Sequence, residues 1–148
     1  MARNSRVMSG LTPRQVFLAL ADGEHYDRWV VGTRMIRTAE PGWPTPGTAI
    51  HYTIGYGPLR KDDKTVSRSL DPDRHIELEA QAWPFGTVRI AITAEAVADG
   101  CRVTIDEHPQ RGVARKLHNP AVDLLIKIRN VETLRRLEQH SRNIVRAG

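Results

Sequence analysis

The feature of this sequence that most constrains its fold is a long helical segment at the C-terminus. Asn119 is a favourable N-cap and Pro120 suits the first helical position, which predicts a helix from Pro120 to about His140. Its first part, AVDLLIKI (residues 121–128), carries apolar side chains almost all round the cylinder. A helix lying on one side of a core shows a single apolar stripe, so this helix is expected to be covered along both flanks.

The central part of the chain changes to a sequence period of two. Apolar and polar residues alternate in AIHYTIGYG (49–57), HIELEAQA (75–82), TVRIAITAEA (87–96) and CRVTIDE (101–107). Such alternation is typical of antiparallel strands with one buried and one solvated face. Short turn signals such as LDPDR and ADG separate the runs, which predicts sequential hairpins.

The N-terminal part adds two short helices. In LTPRQVFLALAD, Thr12 is the expected N-cap and Gln15 completes a capping box, and a second helical piece, EHYDRWV, follows. With a short strand near residues 3–9, the predicted order is one strand, two small helices, about six strands and one long helix. This is an α+β arrangement, expected to form a single domain over residues 1–148.

Only the last helix is long enough to cover the predicted sheet, because the two short helices have roughly ten residues each. The strand positions expected to face it include several small residues, namely Ala80, Ala82, Ala94 and Ala96. Small side chains on a curved sheet beneath one helix favour an internal pocket between the two layers. The alternative, a helix buried on all sides in a tight core, is left open by the sequence.

Several segments, in this order and spacing, are similar to the helix-grip superfamily: LTPRQVFLALAD, PTPGT, GPLRKDDKTV, TIDEHP and NVETLRRLEQ. The chain resembles in particular the polyketide cyclase/dehydrase-like (SRPBCC) subfamily of this superfamily, which also includes START lipid-transfer domains and birch-pollen-allergen-like proteins. The resemblance covers nearly the whole chain. It implies a curved seven-stranded antiparallel sheet around a long C-terminal helix, two short helices after the first strand, and an internal cavity for a hydrophobic small molecule.

The inward phase of the strands and one side of the last helix are predicted to line this cavity. The expected ligand-binding residues are Tyr52, Ile54, Arg68, Leu78, Ala80, Ile90, Ile92, Ile105, Glu107, Leu124, Leu125 and Ile128.

Three polar side chains in this set are the candidates for chemistry. Arg68 is in phase with Val66, Glu107 is in phase with Ile105, and Tyr52 lies in the apolar phase of its strand. They would present polar groups to a mostly apolar ligand; in an enzyme, Arg68 and Tyr52 would orient a carbonyl while Glu107 moves a proton. Alternatively, a register shift of one residue would place both charges in water, Arg68 would pair with Glu107, or Glu107 would be solvated at the strand end.

Composition narrows the remaining function classes. The formal net charge is +5, but most of the excess is interleaved with acidic residues, which favours a solvated basic face over a nucleic-acid-binding surface. Cys101 is the single cysteine and the six histidines lack metal-ligand spacing, so neither a metal nor another cofactor is expected. No secretion signal or membrane-spanning run is apparent, which predicts a cytoplasmic protein.

The leading hypothesis is therefore binding of a lipid-, polyketide- or aromatic-like molecule in the internal cavity. The first alternative is a polyketide cyclase/dehydrase-type enzyme that uses the same cavity. The second is a regulatory protein that binds RNA, the ribosome or an anionic partner through Arg129, Arg135, Arg136 and Arg142 of the basic last helix. An exposed edge strand would also permit a homodimer.

Overall fold

The computed structural model describes residues 2–31, 33–56, 58–81, 87–111 and 120–148. In chain order, its strands are β1 (Ala2–Ser9), β2 (Thr33–Ala39), β3 (Ala49–Tyr56), β4 (Leu59–Asp71), β5 (His75–Gln81), β6 (Thr87–Val97) and β7 (Gly100–Arg111). The helices are α1 (Pro13–Ala21), a 3₁₀ helix (Gly23–Arg28) and α2 (Pro120–Ala147).

The strands form one antiparallel sheet in the order β1-β7-β6-β5-β4-β3-β2. From β2 to β7 each strand pairs with the next one along the chain, as expected for sequential hairpins. The first strand departs from this pattern, because β1 pairs with the last strand and leaves β1 and β2 as the two edges. The chain between these edges forms α1 and the 3₁₀ helix.

Helix α1 begins where its capping residues predict. The Gln15 backbone N–H donates to Thr12 Oγ1 at 3.2 Å, and the Thr12 backbone N–H donates to Gln15 Oε1 at 3.0 Å. These two hydrogen bonds form a capping box, which satisfies backbone donors that the first helical turn otherwise leaves unpaired. The buried face of α1 consists of Val16, Phe17, Ala19 and Leu20.

Helix α2 is longer than predicted, because no glycine or proline interrupts the chain between Pro120 and Gly148. It packs mainly on α1 and β1, with fewer contacts to β7 and the 3₁₀ helix. Its buried residues recur at intervals of three and four, as expected for one face of a helix: Asn130, Thr133, Leu134, Leu137, His140 and Ser141.

The prediction that both flanks of α2 are covered is wrong for its first part. Leu124 and Ile128 each expose 58% of their surface and Val131 exposes 53%. These residues lie on the side of α2 away from Leu134 and Leu137, because the sheet and α1 contact only one side of the helix. The broad apolar sector of this sequence therefore does not correspond to a broad buried sector.

A buried histidine ties α2 to the end of α1. His140 Nε2 lies 3.2 Å from Asp22 Oδ2, and the same carboxylate oxygen lies 2.8 Å from His25 Nδ1. The rings of His25 and His140 are 6.0 Å apart. Burial lowers the pKa of His140 below its ordinary value of 6.5 and outweighs the opposite effect of the Asp22 carboxylate.

This shift gives the fold a predictable pH dependence. The unfolded chain takes up a proton on His140 near pH 6.5 and the folded protein does so only at a lower pH, so the associated stability is complete above pH 6.5 and is lost as the pH falls below it. We expect the free energy of unfolding, measured in urea, to decrease from about pH 7.5 to about pH 5.5. The decrease should be smaller in His140→Gln, and an equal decrease in both proteins would contradict the assignment.

The described part of the chain thus has the predicted helix-grip architecture, a seven-stranded antiparallel sheet with a long C-terminal helix and two short helices after the first strand. None of the helices in the described ranges combines the length and the apolar character needed to cross a bilayer.

Candidate functional site

Two adjacent hollows lie between the sheet, the 3₁₀ helix and α2. The first, here called the helix hollow, is lined by Tyr26, Trp29, Val30, Leu78, Ile90, Ile92, Ile105, Glu107, Arg129, Asn130 and Thr133. The second, here called the strand hollow, is lined by Tyr26, Val30, Val31, Thr33, Tyr52, Ile54, Ala80, Gln81, Val88 and Arg129. Tyr26, Val30 and Arg129 line both hollows and form a partition between them.

Both hollows are small. The helix hollow leaves about 20 Å³ for the centres of water-sized molecules, and the strand hollow leaves about 40 Å³. A single water needs roughly 10–15 Å³ on this scale, so each hollow accommodates only one or a few waters. The interior is therefore not filled solid, but a ligand larger than a few atoms requires the partition to move.

The walls of the two hollows include most of the sequence-predicted cavity residues. Leu78, Ile90, Ile92, Ile105 and Glu107 line the helix hollow, and Tyr52, Ile54 and Ala80 line the strand hollow. Their inward orientation follows from the period of two in β3, β5, β6 and β7, and cross-strand pairs such as Ile76–Ile92 and Leu78–Ile90 continue the apolar wall. Whether these side chains bind a ligand stays a prediction.

Two stacked tyrosines and a threonine form a buried hydroxyl cluster beside the strand hollow. The Tyr26 and Tyr52 hydroxyls lie 3.0 Å and 2.9 Å from Thr65 Oγ1, and the Tyr52 hydroxyl donates to the Gln81 carbonyl at 3.3 Å. The two rings stack with centroids 5.6 Å apart. Burial raises the pKa of both tyrosines, so both side chains remain neutral phenols that donate and accept hydrogen bonds.

An ion pair crosses the helix hollow. Arg129 Nη1 on α2 donates to Glu107 Oε1 on β7 at 3.3 Å. The Glu107 side chain is 2% exposed, whereas that of Arg129 is 34% exposed. A carboxylate this deeply buried is costly unless it is paired, so Arg129 is the group that makes the inward position of Glu107 tolerable.

Three residues that line the helix hollow each carry a buried polar atom with no hydrogen-bond partner among the described residues. They are Trp29 Nε1 at the end of the 3₁₀ helix, and Asn130 Nδ2 and Thr133 Oγ1 on α2. Their residues are only 3%, 3% and 6% exposed. Because a buried polar group without a partner costs about 1–3 kcal/mol, three of them around one hollow indicate a place for hydrogen-bonding atoms that the described residues do not supply.

The predicted inward position of Arg68 is wrong. In β4 the buried positions are Asp63, Thr65 and Ser67, and Arg68 lies on the outer face, where its Nε donates to Glu79 Oε2 at 3.2 Å. The pairing with β5 shifts between Ser67 and Ser69, so the inward phase changes within the strand. Pairing of Arg68 with Glu107 is excluded for the same reason, and Arg129 takes that position instead.

The prediction that Leu124 and Ile128 of α2 line the cavity is also wrong. Leu124 and Ile128 are exposed and line neither hollow. Leu125 falls within α2, but its side chain lies outside the described residues. The helix hollow is lined instead by Arg129, Asn130 and Thr133 of α2. Asn130 and Thr133 each lie four residues before a buried leucine, Leu134 or Leu137, and this spacing was the sequence signal that could have identified them.

The arrangement can hold an oxygen-bearing molecule. The Trp29, Asn130, Thr133 and Arg129 side chains supply hydrogen-bond donors, and Glu107 supplies an acceptor that can also take up a proton. The surrounding wall is apolar, with Leu78, Ile90, Ile92 and Ile105 on the sheet side. A mostly apolar pocket with a few convergent polar groups is the usual form of a small-molecule site.

Comparison with known families gives one match over most of the chain. The sequence profile of the family described as "Polyketide cyclase / dehydrase and lipid transport" matches residues 3–142. No curated protein sequence matches the chain.

Solved structures share the fold at low sequence identity. A Nitrosomonas europaea protein is 15% identical with a TM-score of 0.73, covering 95% of this chain and 93% of its own. Ara h 8.0201 is 15% identical with a TM-score of 0.69, covering 95% and 96%. The di-domain ARO/CYC StfQ from the steffimycin biosynthetic pathway is 9% identical with a TM-score of 0.70, covering 97% of this chain and 50% of its own. At these identities the likeness is one of fold.

Proposed function

Because the chain belongs to the polyketide cyclase / dehydrase and lipid transport family, we propose that it binds a small hydrophobic molecule between the sheet and α2. The molecule occupies the helix hollow and, when larger, extends into the strand hollow. Its apolar body packs on the sheet residues Leu78, Ile90 and Ile92.

The observation that carries this proposal is a set of three buried polar groups, on residues that line the helix hollow, without a hydrogen-bond partner among the described residues. Trp29 Nε1 and Asn130 Nδ2 are donors, and Thr133 Oγ1 can both donate and accept. A ligand with a carbonyl or hydroxyl oxygen at one end would satisfy them, whereas a pure hydrocarbon would leave them unpaired. The proposed ligand class is therefore an apolar molecule, such as a polyketide-like or aromatic compound, with at least one oxygen acceptor.

Ligand size is limited by the partition. The present hollows hold a few waters at most, so a ring-sized ligand must displace Tyr26, Val30 or Arg129. Arg129 is the side chain best able to move, because a third of its surface is exposed and its long stem can turn toward solvent.

Catalysis in the same site is the second candidate, favoured by the buried Glu107 beside Arg129. In a cyclisation, Glu107 would remove a proton from the carbon next to a carbonyl, and the donors of Arg129, Asn130 and Trp29 would stabilise the resulting enolate oxygen. The enolate carbon would then bond to the carbon of a second carbonyl of the same molecule, while the π electrons of that carbonyl move to its oxygen, which takes back the proton held by Glu107. This scheme keeps the proton-transfer role expected for Glu107 and replaces Arg68 by Arg129.

Native mass spectrometry of the protein purified from its own host provides the first test. We expect a co-purifying apolar compound that contains at least one carbonyl or hydroxyl group. Recovery of the protein free of any such compound, together with no binding of the hydrophobic probe 8-anilinonaphthalene-1-sulfonate, would contradict the proposal.

The variant Asn130→Leu/Thr133→Val tests the role of the unpartnered groups. It should raise the free energy of unfolding of the ligand-free protein by about 1 kcal/mol, because it removes buried polar groups that no described residue pairs with. It should weaken binding of the co-purified ligand by about tenfold or more, because the ligand oxygen then loses its donors. Thr38→Val, an exposed change on β2, is the control and should alter neither quantity. Lower stability together with unchanged affinity would remove these groups from the site.

The basic last helix gives less support to the RNA or ribosome alternative. Arg129 turns toward Glu107, Arg135 and Arg136 pair with Glu132, and Arg142 pairs with Glu138. Intrahelical pairs of this kind reduce the positive potential available to a polyanion. A steep decrease of RNA binding with salt would nevertheless be the result that favours this alternative.

A further inference from the structure

A third hollow lies on the outside of the molecule, between the 3₁₀ helix and the C-terminal half of α2. It measures about 100 Å³ on the same scale and is lined by Arg28, Arg135, Arg136, Gln139, His140 and Asn143. It shares no residue with the helix hollow or the strand hollow. This basic groove is therefore separate from the site proposed for the hydrophobic ligand.

The lining of the basic groove combines cations and amides without a carboxylate. Arg28 makes no side-chain hydrogen bond or ion pair with the described residues. Arg135 and Arg136 share Glu132, which leaves one carboxylate for two guanidinium groups. Gln139 Nε2 donates to Asn143 Oδ1 at 3.1 Å, so the Asn143 amide nitrogen remains available as a donor. Guanidinium and amide donors around one hollow form a favourable environment for a tetrahedral oxyanion.

His140 supplies an independent observation. It is 4% exposed and lines the groove; its Nδ1 has no hydrogen-bond partner in the part of the chain that the structure describes, while its Nε2 faces Asp22. With Nε2 directed at a carboxylate, a proton added at Nδ1 would have no acceptor in the described part of the protein. Nδ1 itself is buried, so an anion in the groove would accept that hydrogen bond after a small shift of the ring or of the side chains around it.

We propose that the basic groove binds the phosphate group of a small soluble anion, held by Arg28, Arg136, Asn143 and protonated His140. Its volume is sufficient for one phosphate group with a short organic substituent. Binding occurs on the outer face, so the hydrophobic ligand and the anion occupy the protein independently.

The test uses nuclear magnetic resonance of the full chain, with inorganic phosphate added up to about 20 mM at low salt. We expect saturable shifts of the His140 ring signals. The variant Arg28→Gln/Arg136→Gln should weaken the apparent affinity about tenfold or more, because two charged donors are lost. The variant Arg14→Gln/Arg146→Gln removes the same charge from exposed positions outside the groove and should change the affinity less than about twofold.

A second readout follows the proton on His140. Sulfate keeps a constant charge over the range used, and its binding should tighten as the pH falls from about 8 to about 6. The groups that face His140 act in both directions: Asp22 favours the proton, whereas Arg28 and His25 oppose it. A bound anion should therefore raise the pH at which His140 titrates.

The outcomes separate clearly. Saturable binding that only the groove variant weakens supports the proposal. Equal loss in both variants would show diffuse charge attraction and would overturn it, as would the absence of saturable His140 shifts. Binding only to vesicles that contain phosphatidylglycerol, with none to inorganic phosphate, would overturn the assignment to a soluble anion.

Discussion

Replacement of Tyr26 by alanine should lower the free energy of unfolding by about 4 kcal/mol, the largest effect expected for a single change in this protein. Tyr26 is 2% exposed, packs edge-on against Trp29 at 5.1 Å and stacks on Tyr52. Its removal therefore eliminates a fully packed aromatic ring and leaves a cavity where the partition stood. Because typical domains are stable by only about 5–15 kcal/mol, this change should remove between about a quarter and most of the stability of the protein.

Tyr26→Phe separates the contribution of the ring to stability from that of the hydroxyl. It should cost only about 1 kcal/mol, because Thr65 keeps its hydrogen bond to Tyr52. Urea unfolding of both variants measures these differences. If Tyr26→Ala remains folded, it should also bind bulkier ligands than the unchanged protein, since the two hollows are then continuous. A loss in Tyr26→Phe as large as that in Tyr26→Ala would show that the hydroxyl cluster, and not the ring, determines stability here.

The second large effect is expected at the ion pair inside the helix hollow. Arg129→Met should lower the free energy of unfolding by about 3 kcal/mol at neutral pH, because it leaves the buried Glu107 carboxylate without its partner. This loss is at the low end of those expected when a buried ion pair is broken, because 34% of the Arg129 side chain is exposed to solvent. Chemical denaturation measures the difference.

A double-mutant cycle distinguishes the unpaired charge from lost packing. Glu107→Gln/Arg129→Met should recover most of the stability lost in Arg129→Met, because the buried charge is removed together with its partner. Arg135→Met, on the exposed side of α2, is the control and should cost less than about 0.5 kcal/mol. A double variant no more stable than Arg129→Met would show that the arginine stem, and not its charge, is the stabilising element.

The fold was predictable because its signals are local and repeated. The capping box at Thr12, the period of two in β5, β6 and β7, and the uninterrupted helical run after Pro120 each depend on neighbouring residues. The order of these elements then left few ways to cover one apolar sheet face. The pairing of β1 with β7 was not predicted, because pairing between strands that are far apart in the chain leaves no local signal.

The residues that line the site were predictable on β3, β5, β6 and β7, and were not predictable on β4 or α2. In β5 and β6 the alternation has no interruption, so Leu78, Ile90 and Ile92 face inward as their period requires. The register shift in β4 cannot be read from KTVSRSL, where the inward residues Thr65 and Ser67 are polar and the outward residue Val66 is apolar. The cost of burying the Thr65 and Ser67 hydroxyls is offset by their hydrogen bonds to groups far away in the sequence. Such partners are visible only in the three-dimensional structure.

The prediction of which α2 residues line the cavity was wrong for a different reason. Apolar residues surround its first part, so hydrophobicity alone does not indicate which side faces the core. Packing on α1 and β1 selects the side of Leu134 and Leu137, and that choice carries the polar Asn130 and Thr133 inward with them. On α2, the residues that the sequence analysis did not identify are thus polar residues that face the core because their apolar neighbours do.

The partition of Tyr26, Val30 and Arg129 has a thermodynamic consequence. If ligands enter only molecules in which these side chains have swung aside, the measured dissociation constant equals the intrinsic one divided by the fraction of such molecules. An open fraction of about one per cent would weaken the observed affinity roughly a hundredfold. Substitutions at residues that do not contact the ligand can then change which compounds bind, because they change the fraction of molecules in which the partition is open.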